Sequence, residues 1–140
     1  MIDSYRNKCR FLGATSFGTP VEVFEEALDA DLLIATGNIE YHYFAGYSGG
    51  AKALMPGISS YAAITNNHSY MLKYSACVGN ILDNPVRADI EEAGKLAGID
   101  FIINVILDDS KRIIGAVAGS NNTAFLEVVK IYDNIFKNII

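Results

Sequence analysis

Tryptophan is absent from these 140 residues, and cysteine and histidine occur only twice each. The two cysteines, Cys9 and Cys77, provide neither a spaced ligand pair nor a disulfide framework. A reducing, cytoplasmic setting suits them. Basic residues are also scarce: eleven Lys and Arg lie scattered among sixteen Asp and Glu, for a net charge of −5. With no basic patch there is no electrostatic footprint for nucleic acid, and any phosphate must be gripped locally. No apolar run reaches the ~20 residues of a membrane helix, and the first ten residues, MIDSYRNKCR, contain no apolar signal-peptide core. Neither nucleic acid nor a membrane is therefore an expected partner. Internal repeats, low-complexity tracts and interdomain linkers are missing as well. At 51% hydrophobic the chain has the material for a sizeable core, and residues 1–140 read as a single domain.

Short continuous apolar runs at 31–37 (DLLIATG) and 99–107 (IDFIINVIL) suit strands buried on both faces. A short helical stretch, FEEALDA, precedes the first. Before the second, Asn84 caps a longer helix with Pro85 at its first position, an apolar face of Ile90, Ala93, Leu96 and Ala97, and Gly98 at its end. Residues 108–111 (DDSK) read as a turn, which makes 101–119 a β-hairpin. Residues 123–139 place Phe125, Val128, Val129, Tyr132 and Phe136 on one helical face, a stripe that needs a partner and offers a route to self-association. FLGAT near the start reads as a strand, and PVEV as either a strand or a first helical turn, with the alternation of Val21 and Val23 favouring the strand. The expected architecture is a layered, Rossmann-like α/β domain with a mixed sheet and a β-hairpin near its C-terminal end.

The chemistry concentrates at 38–69, which holds His42 and His68, the cluster Gly46, Gly49 and Gly50, and Lys52 directly after it. Imidazoles carry protons or bind metals, and clustered glycines let backbone N–H groups converge on an anion. The segment is not a nucleotide-triphosphate loop: Ala51 separates Gly50 from Lys52, and Ala53 stands where the magnesium-binding hydroxyl belongs. The dinucleotide fingerprint fails on glycine spacing. Asp31, Glu40 and Asp83 are acids near this segment that can orient an imidazole through its second nitrogen. The pairs Glu25/Glu26 and Glu91/Glu92 read as solvated helix faces. A simple site made by His42, His68 and carboxylates has no helical spacing to support it.

The pattern His42-x-x-Ala45-Gly46-Tyr47-Ser48-Gly49-Gly50-x-Lys52, followed by Pro56-Gly57 and Asn67-His68, closely resembles the nickel-pincer-nucleotide lactate racemase family. The likeness continues through Asn84-Pro85-Val86-Arg87, Asp100-Phe101 and Asn104-Val105, so it covers about residues 12–119. It implies the central part of that family's N-terminal catalytic domain, with lactate or another short 2-hydroxy acid as substrate. By the same resemblance Lys52 is the attachment point of a pyridinium-3-thioamide-5-thiocarboxylic acid mononucleotide holding nickel, and His68 is the protein ligand to that nickel. His42 becomes one of two catalytic histidines, removing the hydroxyl proton while hydride passes to the cofactor. Phe44 and Tyr47 are expected to pack on the pyridine ring, Ser48 to donate a hydrogen bond, and Gly49 and Gly50 to let main chain approach the cofactor. The second catalytic histidine belongs to missing N- and C-terminal segments of the racemase, so these are the expected partners. The competing expectation is a noncatalytic binding or interaction module that keeps the fold without the cofactor.

Overall fold

The computed structural model describes residues 8–137. It opens with an antiparallel pair, β1 (Cys9–Ala14) and β2 (Pro20–Phe24), in which Val21 and Val23 alternate into the core as the PVEV pattern predicts. The FEEALDA helix shrinks to one turn, α1 (Glu25–Leu28). The strand expected at 31–37 is shifted to β3 (Ile34–Ile39) because Leu33 is tied off beforehand, its N–H donating to the Asp100 carboxylate at 2.8 Å. A small hairpin follows, β4 (Tyr41–His42) with β5 (Gly46–Tyr47), then a 3-10 turn at Gly50–Ala53.

Two helices form the crossover. The first, α2 (Tyr61–Ser69), is capped by the Ser60 hydroxyl accepting from the Ala63 N–H, and sequence pattern gave no notice of it. The second, α3 (Pro85–Ala97), has the expected Asn84 cap, proline at its start and left-handed Gly98 at its end. Leu96 does not join Ile90 and Ala93 in the core but stays exposed. The chain then runs through β6 (Phe101–Leu107), a turn in which Asp108 accepts from the N–H groups of Ser110 and Arg112, β7 (Ile113–Gly119) and α4 (Asn121–Phe136). The expected extension of α4 to Ile139 falls partly outside the described residues, as does most of the N-terminal stretch used to exclude a signal peptide.

The main sheet has the order β3-β6-β7, with β3 parallel to β6 and β6 antiparallel to β7. This is the mixed sheet with a terminal hairpin that the sequence predicts. Its inner face is covered by α4, whose stripe of Phe125, Val128, Val129 and Tyr132 buries against Ile39, Ile102 and Ile106. The stripe therefore finds the partner surface it needs within the fold. A second apolar cluster joins β2, α2 and α3 through Val21, Val23, Leu54, Met55, Ala63, Val86 and Ile90. Among the described residues, no helix is long and apolar enough to cross a membrane. The segment 42–52 lies across the seam between the two clusters, contributing Ala45 and Ala51 to one and Tyr47 to the other.

Candidate functional site

His42 closes β4, and the hairpin turn brings the Ala45 N–H back to donate to its Nδ1 at 3.2 Å. The ring stacks on exposed Tyr43 at 4.9 Å and meets the edge of Phe44 at 4.6 Å. Phe44 also meets His68, 5.1 Å away and carried in the last turn of α2. Two histidines 26 positions apart thus meet the same aromatic ring. The helix bearing His68 is fixed less by apolar contact than by a buried polar network. Asn67 donates to the Val86 carbonyl and to Asp89, while the Thr15 and Thr19 hydroxyls also bond Asp89, so α2 is pinned to α3 and to the β1–β2 turn.

Gly49 and Gly50 adopt φ of 75° and 61° and lead into the turn bearing Lys52. Their need for glycine is internal. A Cβ at Gly49 would lie 2.4 Å from Ile39 and 2.6 Å from Asn104, and one at Gly50 would lie 2.8 Å from the Phe125 ring. The Gly50 N–H donates to the buried Asn104 side chain at 2.8 Å, so this backbone is pressed against the sheet and α4. Lys52 is half-buried and lines a pocket of about 170 Å³ with Thr36, Gly37, Asn38, Ser48 and Gly49. Burial, reinforced by the Arg87 guanidinium and opposed by Glu40, holds its amine below the usual lysine range.

The same field keeps both imidazoles neutral at pH 7. Burial first, then the charges of Lys52, Arg87 and His68, push His42 down to about 4, against an upward pull from Glu40. His68 is lowered by burial and then by Lys52. No carboxylate bonds either histidine among the described residues: His42 is oriented by a backbone amide, and Glu40 acts only through its field. Nor do any three His, Cys, Asp or Glu side chains gather into a metal-binding group among them.

Two expected pocket residues make further contacts within the fold. Tyr47 is buried, its hydroxyl donating to Asp133 at 2.7 Å and its ring packed on Tyr41 and Tyr132, so it faces α4 and not the Phe44 ring. Ser48 reaches the edge of the Lys52 pocket, but its hydroxyl donates to the Asn38 carbonyl and accepts from the Glu40 N–H, joining the loop to the end of β3. Glu91 and Glu92 are not a solvated face either. Glu91 pairs with Arg87 at 3.2 Å and accepts from Asn121, and Glu92 accepts from the N–H and hydroxyl of Ser16.

The residues whose roles the sequence concealed are Asn84 and Arg87. Asn84 caps α3 and also donates its amide to the Phe44 carbonyl at 2.9 Å. Arg87 is 2% exposed, and its guanidinium donates to the carbonyls of Ala45, Tyr47 and Gly49 while sitting 4.4 Å over the Phe125 ring. One helical turn therefore holds four consecutive or alternate carbonyls of the loop between His42 and Lys52. An Asn-Pro-x-Arg helix start with an arginine on an apolar face is the signal that could have revealed it.

Fold and site together define a mixed α/β domain whose glycine-bearing loop carries a half-buried amine that lowers two neighbouring imidazoles. The chain belongs to the lactate racemase N-terminal domain family, which matches residues 2–79. It is 43% identical over 115 residues to the lactate racemase of Lactiplantibacillus plantarum and 40% identical over 118 residues to that of Thermoanaerobacterium thermosaccharolyticum. These matches cover 81% and 83% of the chain but only 27% and 28% of the relatives, so the chain spans a little over a quarter of their length. The structure of the lactate racemase apoprotein from T. thermosaccharolyticum superposes with a TM-score of 0.89 at 37% identity, over 92% of this chain and 32% of that one. A crystal structure of a Thermotoga maritima protein, 20% identical over 93% of this chain and 36% of that one, shares the fold with a TM-score of 0.74.

Proposed function

We propose that this chain is the cofactor-attachment and nickel-binding portion of a 2-hydroxyacid racemase, acting on lactate or a close analogue when joined by the remaining segments of the enzyme. The observation that carries the reading is the meeting of His42 and His68 at Phe44, with both rings in the electrostatic field of the Lys52 amine. The donor set fits a nickel-pincer nucleotide. A lysine kept below its ordinary range has a larger neutral fraction and can form a covalent link through Nζ. A neutral imidazole at His68 is a suitable nitrogen ligand for Ni(II), and a cofactor that brings its own donors needs few from the protein.

When bound, the nucleotide supplies the acceptor for the α-hydrogen of the 2-hydroxy acid. The chain's own tasks are then to hold that group and to handle the proton of the substrate hydroxyl. Lys52 and His68 would hold the cofactor, Phe44 would fix the spacing between the histidines, and His42 would exchange a proton with the substrate oxygen. Interconversion of mirror-image acids needs a second acid/base group on the opposite face. His42 and His68 are the only histidines here, and His68 is assigned to nickel. The second group therefore belongs to the partner segments, and the isolated chain is expected to be inactive.

The test is intact-protein mass spectrometry with nickel quantitation on chain co-expressed with the cofactor's biosynthetic enzymes. A mass adduct mapping to Lys52 with about one nickel per chain supports the reading. An unmodified, nickel-free chain, both alone and with the remaining racemase segments supplied, overturns it in favour of a noncatalytic module.

A further inference from the structure

We propose that Asn84 and Arg87 are positioning residues that fix the neutral His42 ring with its proton on Nε2. The Ala45 N–H points at Nδ1 of His42 from 3.2 Å, and an N–H donor can meet only a nitrogen that keeps its lone pair. The single proton of the neutral ring is therefore on the other nitrogen.

The Ala45 amide is held from both sides by α3. The peptide group linking Phe44 to Ala45 is planar, so anchoring its carbonyl also aims its N–H. That carbonyl accepts from Nδ2 of Asn84 at 2.9 Å. The next carbonyl, of Ala45 itself, accepts from Nε of Arg87 at 3.3 Å. Arg87 extends the grip to Tyr47 and Gly49, and its own backbone N–H donates to Oδ1 of Asn84 at 3.2 Å, which locks the two clamp residues together. The arginine fork is needed for this arrangement, because a lysine ammonium cannot span three carbonyls and a carboxylate from one buried position.

The consequence is chemical. A doubly protonated His42 would set an Nδ1–H against the Ala45 N–H, so the clamp opposes the imidazolium independently of the surrounding charges. The resting ring offers a donor, not a lone pair, at Nε2. If His42 serves as the proton carrier of a racemase, as proposed above, it meets a substrate oxygen first as a hydrogen-bond donor. It can take the hydroxyl proton on Nε2 only after the Ala45 amide releases Nδ1 and the ring proton moves there. Movement of the 44–49 loop is thereby coupled to proton transfer.

Long-range 1H–15N correlation spectra of the unloaded, 15N-labelled chain at neutral pH report the tautomer directly, with His42→Gln assigning the two histidine rings. The expected wild-type signature is protonated Nε2 and unprotonated Nδ1 at His42. Asn84→Ser keeps a helix cap but loses the amide donor, and Arg87→Lys keeps the charge but loses the fork. Each should move His42 to a tautomer-averaged spectrum and speed solvent exchange of the Ala45 amide, with amide shifts outside 42–50 retained. A wild-type ring protonated on Nδ1 overturns the inference. So does a pure Nε2–H signature that survives in Asn84→Ser and Arg87→Lys. Should the lysine variant fail to fold, Asn84→Ser and the wild-type signature still decide. The spectra need no cofactor, so failure to load Lys52 would sink the functional reading and leave this one standing.

Discussion

Arg87→Met removes the guanidinium while keeping an unbranched apolar stem against Phe125, so the loss measures the clamp more than a cavity. Three loop carbonyls lose the guanidinium, although those of Ala45 and Gly49 keep the N–H donors of Tyr47 and Lys52, and the Glu91 carboxylate, 21% exposed, retains only the Asn121 amide. Breaking a buried ion pair by deleting one partner costs ~3–5 kcal/mol, and the partial exposure of Glu91 places its share at the lower end. With backbone donors kept at two of the carbonyls, the loss at the carbonyls together adds only ~1 kcal/mol where the loop cannot open to water. A destabilisation of about 4 kcal/mol is expected for Arg87→Met, read from urea unfolding with an unchanged slope. Adding Glu91→Met removes the stranded carboxylate and should recover ~1–3 kcal/mol, since apolar replacement of a whole buried pair is close to neutral. A single-variant loss under ~1 kcal/mol, or a double variant less stable than the single one, would refute the clamp as the principal constraint on this loop.

The His42 Cε1 proton should titrate with a midpoint near 4, and a midpoint at 6 or above would contradict the burial and charge assigned to it. Because that folded value lies below the ordinary 6.5, the unfolded chain binds more protons between the two. The contribution of His42 to stability is therefore complete above about pH 6.5 and is lost as pH falls towards 4, with His68 acting in the same direction. The difference in melting temperature between pH 7.5 and 5.5 should shrink in His42→Gln. Gly50→Ala combines φ of 61° with a Cβ 2.8 Å from Phe125, whereas Gly98→Ala has φ of 73° and nothing within 4 Å. The first should lose ~2–4 kcal/mol and the second ~1 kcal/mol in thermal melts, and equal losses would contradict the close approach to α4. Tyr47→Phe deletes a hydroxyl bond to Asp133 and should cost ~1 kcal/mol without changing the Lys52 adduct, so loss of the adduct in a folded variant would return Tyr47 to the pocket.

Elements that bury an apolar pattern could be read from sequence; elements held by polar contacts could not. The hairpin β6–β7 and helices α3 and α4 announce themselves by apolar runs, caps and a turn, and their bounds fall close to expectation. Helix α2 is different. Its sequence, YAAITNNHS, buries only Ala63 and Asn67 and has no stripe, because it is secured through Asn67 to Asp89. Periodicity has nothing to detect where one amide does the fastening. The site divides in the same way. His42, Lys52 and His68 stand out by residue type, but the partners that determine their states are the Ala45 backbone amide and, from the distant start of α3, the cap Asn84 and the buried Arg87.

That division bears on what the loop glycines and Arg87 accomplish together. Gly49 and Gly50 let the backbone lie against Ile39, Asn104 and Phe125 at distances no side chain would allow, and this places the carbonyls of 45, 47 and 49 within reach of one guanidinium. The buried positive charge then lowers both His42 and Lys52, while the carbonyls it binds keep the loop from springing away. Glycine spacing, helix start and pocket electrostatics are consequently one constraint. A substitution at Gly50 should disturb Lys52 through the shape of the loop, and Arg87→Lys should disturb it through lost geometry even though the charge remains. If Arg87→Lys left the Ala45 amide as slow to exchange as in the parent chain, charge alone would suffice and the clamp would be unnecessary.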